Sequence, residues 1–322
     1  VHVRTIKGKG YAPAEEHPEV YHGIPKGEVF GGGKSFSSVF GEIIAHRGGE
    51  DKRLCAVTAA MCDGTGLSDF AKRFPERFFD VGIAEEHAMT FCAGLSAGGM
   101  RPVFAVYSTF AQRCYDQLIH DAALQKLPVV LAIDRAGICG EDGPTHHGLF
   151  DVGFLLQTPG IAVYSPECYD DMCIAFDKAF EFGSLSAVRY PRGAQFEYDR
   201  SAYVWKNSMS YADFGEGCDV VIVCYGRLCA NAYDAAQRLC ARGLGVRVLR
   251  VLRLKPLESE VFVGLCAGFG LVYFLEEGVK IGGFSERAIS LLAERGQLDG
   301  VRTAINAVDD RFVSHGSTEK LF

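Results

Sequence analysis

The 322-residue sequence has no Cys-x-x-Cys pair, no apolar run of membrane-spanning length and no surplus of positive charge. Each absence excludes a class of protein. Zinc ribbons and thioredoxin-like redox centres need closely spaced cysteine pairs, whereas the twelve cysteines here are scattered through apolar segments such as VIVCYGRLC and MTFCAGL. They read as buried, reduced thiols of a cytoplasmic protein rather than as a disulfide scaffold. A membrane span needs about 20 consecutive apolar residues, so no membrane partner is expected. The net charge of −7 argues against broad attraction to nucleic acid, and any phosphate site must be built from a few local cations. A nucleotide-binding loop is also missing: CDGTG, GEDG and GVKIGGF cluster glycines, but the last has neither the Lys-Ser/Thr ending nor the strand-to-helix spacing of such loops.

What remains is a globular composition, 48% hydrophobic and 23% charged, with room for two domains. Residues 1–34 read as a strand-like opening, HVRTI, and then irregular Gly/Pro/acid-rich chain, as if they were the tail of an upstream domain and a linker. From 35 to 200, LCAVTAAM, RFFDVG, RPVFAVYS, LPVVLAIDR, IAVYSP and SAVRYP alternate with helical segments, among them one from Glu85 and one over Thr109 to Gln125. Such continuous apolar strands imply a mostly parallel sheet covered on both faces. Residues 201–217 are polar and read as a linker. A second, smaller α/β unit follows over 218–322, giving two doubly wound α/β domains in all.

Three segments carry chemistry. DVGIAEEHAMTFCAGL, from Asp80, ends a short strand on an acid pair and enters a helix. Glu85 at that junction is either an active-site carboxylate or simply an acid favoured by the positive helix end. DRAGICGEDGPTHHGLFD, from Asp134, is a polar loop with Arg135, Glu141, Asp142, His146, His147 and four glycines directly after a buried strand. Adjacent histidines do not share one ligand geometry and no third ligand stands at zinc spacing, so acid/base or hydrogen-bonding work suits them better than metal binding. YSTFAQRCYDQLIHDAAL, from Tyr107, places Phe110 near Arg113, which suits a flat ring carrying a phosphate, although a Phe in a first turn also serves as plain core. Arg192 in RYPRG offers a second cation, for phosphate or for an ion pair with a surface acid.

Assembled in order, KGKGYAPAE, YHGIPK, FDVGIAEEHAMTFCAGL, YSTFAQRCYDQLIHD, the DRAG loop, SAVRYPRG and FVSHGS make the chain closely similar to the 1-deoxy-D-xylulose-5-phosphate synthase family, transketolase-like enzymes dependent on thiamine diphosphate. The resemblance implies a pyrimidine-binding domain and a transketolase C-terminal domain. It gives Glu85 the part of the glutamate that hydrogen-bonds the cofactor's aminopyrimidine, a role for which a poorly solvated carboxyl group, favouring its neutral form, is suited. Phe110 becomes the aromatic that packs on that ring, with Arg113 nearby, and Tyr11 a cofactor contact. Tyr107, Arg135 and Arg192 resemble the residues that hold the phosphate of D-glyceraldehyde 3-phosphate, and Asp142, His146 and His22 those around pyruvate and the sugar hydroxyls. The implied reaction condenses pyruvate with the aldehyde, releases carbon dioxide and opens the non-mevalonate isoprenoid route, in a homodimer. Two departures stand out: Glu86 lies where the family usually has Gln, and there is no Gly-Asp-Gly motif. That motif, with a downstream Asn, holds Mg2+ and the cofactor's diphosphate in an N-terminal domain. The expectation is therefore a C-terminal portion of the synthase, catalytic only with a diphosphate-binding half. The competing expectation is a non-catalytic dimerisation or regulatory module.

Overall fold

A computed structural model describes residues 1–16 and 33–321, which form two separate units, Val1–Lys34 and Ser35–Phe322. In the first unit HVRTI is not a strand. Residues 1–6 carry no regular structure, and a short helix, Ala12–Glu16, follows a turn in which the Tyr11 N–H donates to the Gly8 carbonyl. β propensity measures the fit to a neighbouring strand, and none is paired here among the described residues.

The second unit contains two sheets. Its strands are β1 (Leu54–Thr58), β2 (Phe78–Asp80), β3 (Arg101–Tyr107), β4 (Val130–Asp134), β5 (Ala162–Tyr164) and β6 (Ser186–Arg189). After them come β7 (Val204–Lys206), β8 (Met209–Phe214), β9 (Val220–Cys224), β10 (Val246–Val251), β11 (Arg253–Lys255), β12 (Leu271–Val279) and β13 (Arg302–Val308). The orders are β11-β5-β6-β4-β3-β1-β2 and β13-β12-β9-β10-β8-β7. The first sheet is parallel except for β11, which the second half of the chain lends to its edge. In the second, β9, β10, β12 and β13 are parallel, and β8 and β7 add antiparallel edges. Both sheets are thus of the mostly parallel α/β class.

Strand periodicity explains the layering. On β1, Leu54 and Ala56 pack with Phe36, Phe40 and Ile44 of the helix Phe36–Glu50, whereas Val57 faces Ala88, Met89 and Cys92 of the helix Glu85–Ala97. On β9, Ile222 and Cys224 meet Ala232 and Ala236 of the helix Cys229–Cys240, and Val221 and Val223 face the other way. Every residue of β1, β4 and β6 is buried, as two-sided coverage requires.

Two local expectations fail. Residues 201–217 are not a bare linker: β8 pairs with β10 from Met209↔Val251 to Val246↔Phe214, burying Met209 and Ala212. β8 lies between β10 and the edge strand β7, and Ser210 and Asp213 break its apolar run while polar chain surrounds it, which hides it in the sequence. The helix expected over Thr109 to Gln125 is broken into Ser108–Ala111, a 3-10 turn Gln112–Cys114, Tyr115–Gln117 and a π-turn Leu118–Ala123. Cys114 leaves helical geometry with φ −102° and ψ 17°, while the Gln112 side chain donates to the Thr109 carbonyl at 2.6 Å.

Candidate active site

Three neighbouring parallel strands, β3, β4 and β6, end side by side, with Tyr107 opposite Asp134 and Ile133 opposite Arg189. Their following loops carry Phe110, Arg135 and Arg192, so segments distant in sequence meet at one carboxyl edge, where open α/β sheets bind ligands. Beyond β3 lie β1 and then β2, whose end leads into Glu85. Asp80 shapes that turn, its Oδ1 accepting from the Ala60 and Gly82 amides at 2.8 and 3.0 Å.

Rings and cations form a continuous surface. Tyr107 stacks on Phe110 with centroids 5.8 Å apart, and His146 meets Phe110 edge-on at 5.4 Å. The Arg135 guanidinium lies 3.6 Å from the Tyr107 centroid and donates to the Gly64 carbonyl at 2.9 Å. Arg135 holds φ +59°, a conformation that costs a non-glycine residue about 1–2 kcal/mol and that recurs where a side chain must be aimed. Burial pushes the Tyr107 phenol above its ordinary pKa. Arg192 pairs with Asp142 at 2.5 Å and also donates to the Cys139 carbonyl. Arg192 thus makes the ion pair with a part-exposed acid that was one of its two readings, and that acid is the candidate Asp142.

Glu85 begins its helix without a side-chain cap at Ala84 and is buried, 3% exposed. Its Oε2 has no hydrogen-bond partner, a rare state for a buried carboxyl oxygen. An acid present only to satisfy a helix end would lie in solvent, as Glu86 does. Glu85 sits beside Cys114, in the turn just after Phe110, and burial drives that thiol up to about 12. A buried carboxyl oxygen without a partner fits a hydrogen bond with a polar ring atom such as those of an aminopyrimidine. Arg113 is exposed in the same turn. Tyr11 is exposed in the first unit, and His22 lies outside the described residues.

The paired histidines separate. His147 is buried, its Nδ1 accepts from the Cys139 amide at 3.0 Å, and its Nε2 then donates to the Ser314 carbonyl at 3.2 Å. It is therefore a neutral brace within the loop, whereas His146 turns toward the rings with Nδ1 2.9 Å from the Thr145 hydroxyl. Sequence reasoning missed Asp134, fully buried at the end of β4, whose Oδ2 accepts from Ser37 at 2.7 Å and whose Oδ1 lies 3.4 Å from Arg135. Burial raises its pKa from 3.8 to about 6. An acid terminating the run LPVVLAID was the available signal. Glu167, Cys168 and Asp171 stand close enough to share a metal, but Arg250 pairs with Glu167 at 3.0 Å and Asp171 at 2.8 Å, which gives the cluster its counter-charge.

This architecture can be set beside known proteins. Residues 33–195 match the pyrimidine-binding domain of transketolase and residues 213–322 the transketolase C-terminal domain. The chain belongs to the transketolase family. Among curated relatives of this transketolase-family chain, 1-deoxy-D-xylulose-5-phosphate synthase 1 of Geobacter sulfurreducens is 42% identical over an aligned length of 330, covering 100% of this chain and 52% of that protein. The chain spans about half the length of the curated relatives it matches. A solved split-gene transketolase, an inactive β4 tetramer, superposes with a TM-score of 0.74 at 30% identity, covering 87% of this chain and 90% of its own. Transketolase from Campylobacter jejuni shares the fold, with a TM-score of 0.76 at 16% identity over 98% of this chain and 49% of its own. Among the described residues, no helix of this transketolase-family chain is long and apolar enough to cross a membrane.

Proposed function

We propose that the chain is the pyrimidine-binding and C-terminal portion of a 1-deoxy-D-xylulose-5-phosphate synthase, which joins pyruvate to D-glyceraldehyde 3-phosphate with release of carbon dioxide. The observation that carries this reading is the buried, unpartnered Glu85 Oε2 at the start of its helix. Bound thiamine diphosphate supplies a nucleophilic thiazolium carbon. Glu85 holds a proton at Oε2 for the aminopyrimidine nitrogen, while Phe110, backed by Tyr107, gives the ring a flat wall. Tyr11 and Arg113 add cofactor contacts. Arg192 and Arg135 bind the aldehyde's phosphate, since guanidinium matches phosphate geometry and Arg135 is already aimed by its φ. Asp142 and His146 orient pyruvate and the aldehyde's hydroxyls, with His22 as a further polar contact. Mg2+ and the cofactor's diphosphate require ligands from another domain, and the working assembly is a cytoplasmic homodimer.

A second reading, a module without turnover of its own, draws support from the inactive state named for the split-gene relative. One experiment tests both: turnover of pyruvate and D-glyceraldehyde 3-phosphate with thiamine diphosphate and Mg2+, with and without a separately expressed N-terminal domain from a related synthase. Turnover on complementation is expected, with Glu85→Ala lowering it at least ~100-fold, the scale of a lost proton-handling group. Association of the halves without turnover would sink the synthase reading and leave the module.

A further inference from the structure

Near its end β12 carries two adjacent acids with different tasks. Glu276 is spent on local structure, its oxygens accepting from the Tyr225 hydroxyl, the Phe284 and Ser285 amides and the Ser285 hydroxyl. Glu277, 5% exposed, instead reaches the DRAG loop, where its Oε1 accepts from the Ile138 amide at 2.7 Å. The fit leaves no slack, because a Cβ on Gly137, which has φ +84°, would stand 2.2 Å from the Glu277 carboxyl carbon. Gly137 and Gly148 exchange amide-to-carbonyl bonds of 2.8 and 2.7 Å, so this contact sits at the closed base of the loop bearing Asp142 and His146. The loop's far side rests on the second half as well, through His147 to the Ser314 carbonyl and the Gly316 amide to the Gly140 carbonyl. Glu277 also faces Arg227, which donates to the Arg192 carbonyl at 2.9 Å. Arg189 and Asp151 are the other charged groups that act on it. One carboxylate thus touches the base of the loop carrying Asp142 and acts by charge on Arg227, which holds the backbone of Asp142's ion-pair partner Arg192.

We propose that Glu277 is a positioning residue: by reaching across from the second sheet to the Ile138 amide it sets the 137–148 loop, and with Arg227 it brings Asp142 and Arg192 into register for a phosphate-bearing substrate. This rests on the synthase reading only for the identity of that substrate. Burial of the carboxylate against arginines serves the same end, since a hydrogen-bonded charge in a dry site is geometrically demanding.

The test compares Glu277→Asp, which keeps the charge and loses the reach, with Glu277→Gln, which keeps the reach and loses the charge. Hydrogen exchange of backbone amides and calorimetry with D-glyceraldehyde 3-phosphate are read on the full chain. In the unsubstituted chain the Ile138, Cys139 and Gly148 amides should be protected while those of Glu141 and Asp142 are not. Glu277→Asp should speed exchange at Ile138 at least tenfold and weaken aldehyde binding at least fivefold, with melting little changed, and Glu277→Gln should stay within twofold on loop exchange. The reverse order, or faster exchange spread evenly over the chain, would make Glu277 a merely structural charge and overturn the proposal. Unprotected loop amides in the unsubstituted chain would overturn it without any variant. Loop protection with the expected variant order but no aldehyde binding in any protein would uphold the positioning role and count against the synthase reading alone.

Discussion

At the scale of single residues, identity and environment part company most clearly at the acids. Glu85 and Glu86 are indistinguishable as sequence, yet one is buried with an unpartnered oxygen and the other is solvated. Adjacent histidines divide in a similar way, His147 buried and His146 part-exposed toward the rings, because helix phase and loop path, not residue type, choose which neighbour turns inward. Asp134 is the residue whose environment makes the sharpest prediction. Burial raises its pKa from 3.8 to about 6, so the folded chain binds this proton more tightly than the unfolded one. The stability it contributes is therefore full below about pH 4 and is lost as the pH rises through 6. Asp134→Asn removes that titration. The stability difference between the two proteins, followed by denaturant melts, should move by up to about 3 kcal/mol in favour of the Asn variant between pH 4 and 7. Parallel curves would show that Asp134 does not titrate in this window.

At the scale of elements, the strands of the first sheet were plainly legible, because burial on both faces writes itself as continuous apolar runs. Other elements were not: β7 and β11 are only three residues long, Ser210 and Asp213 interrupt β8, and the broken helix after Tyr107 keeps a helical composition while its backbone does not. The loop after β1 shows how tightly the site's elements are fitted. A Cβ on Gly64 would lie 1.7 Å from the Tyr107 hydroxyl, and the Gly64 carbonyl accepts from Arg135. Gly64→Ala should cost about 1–3 kcal/mol by overpacking, and adding Tyr107→Phe should recover part of it. Melts of the four proteins in that cycle check this, and purely additive effects would refute the contact.

At the scale of the whole second unit, the two sheets are joined by polar as well as apolar contacts. Arg250 on β10 is buried between Glu167 and Asp171, which belong to the first sheet's side, and Glu167 also accepts from Arg200 at 2.8 Å and Tyr198 at 2.9 Å. Arg250→Met strands the buried Asp171 carboxylate, while Glu167 keeps Arg200, and should lower stability by about 3 kcal/mol, with one unfolding transition in denaturant rather than two. An unchanged midpoint would mean that the network is dispensable. Fold class and strand order along the chain were determined by sequence alone, since hydrophobic period is a local property, and the sequence named Phe110, Arg135 and Arg192 as candidates by residue chemistry and Tyr107 and Asp142 through the family resemblance. Only tertiary structure decided that β3, β4 and β6 end together, that Arg192 pairs with Asp142, that Glu85 keeps an empty oxygen, and that Glu277 closes on a loop 139 positions away. Those are long-range contacts, set by sheet order and packing, and no window of neighbouring residues contains them.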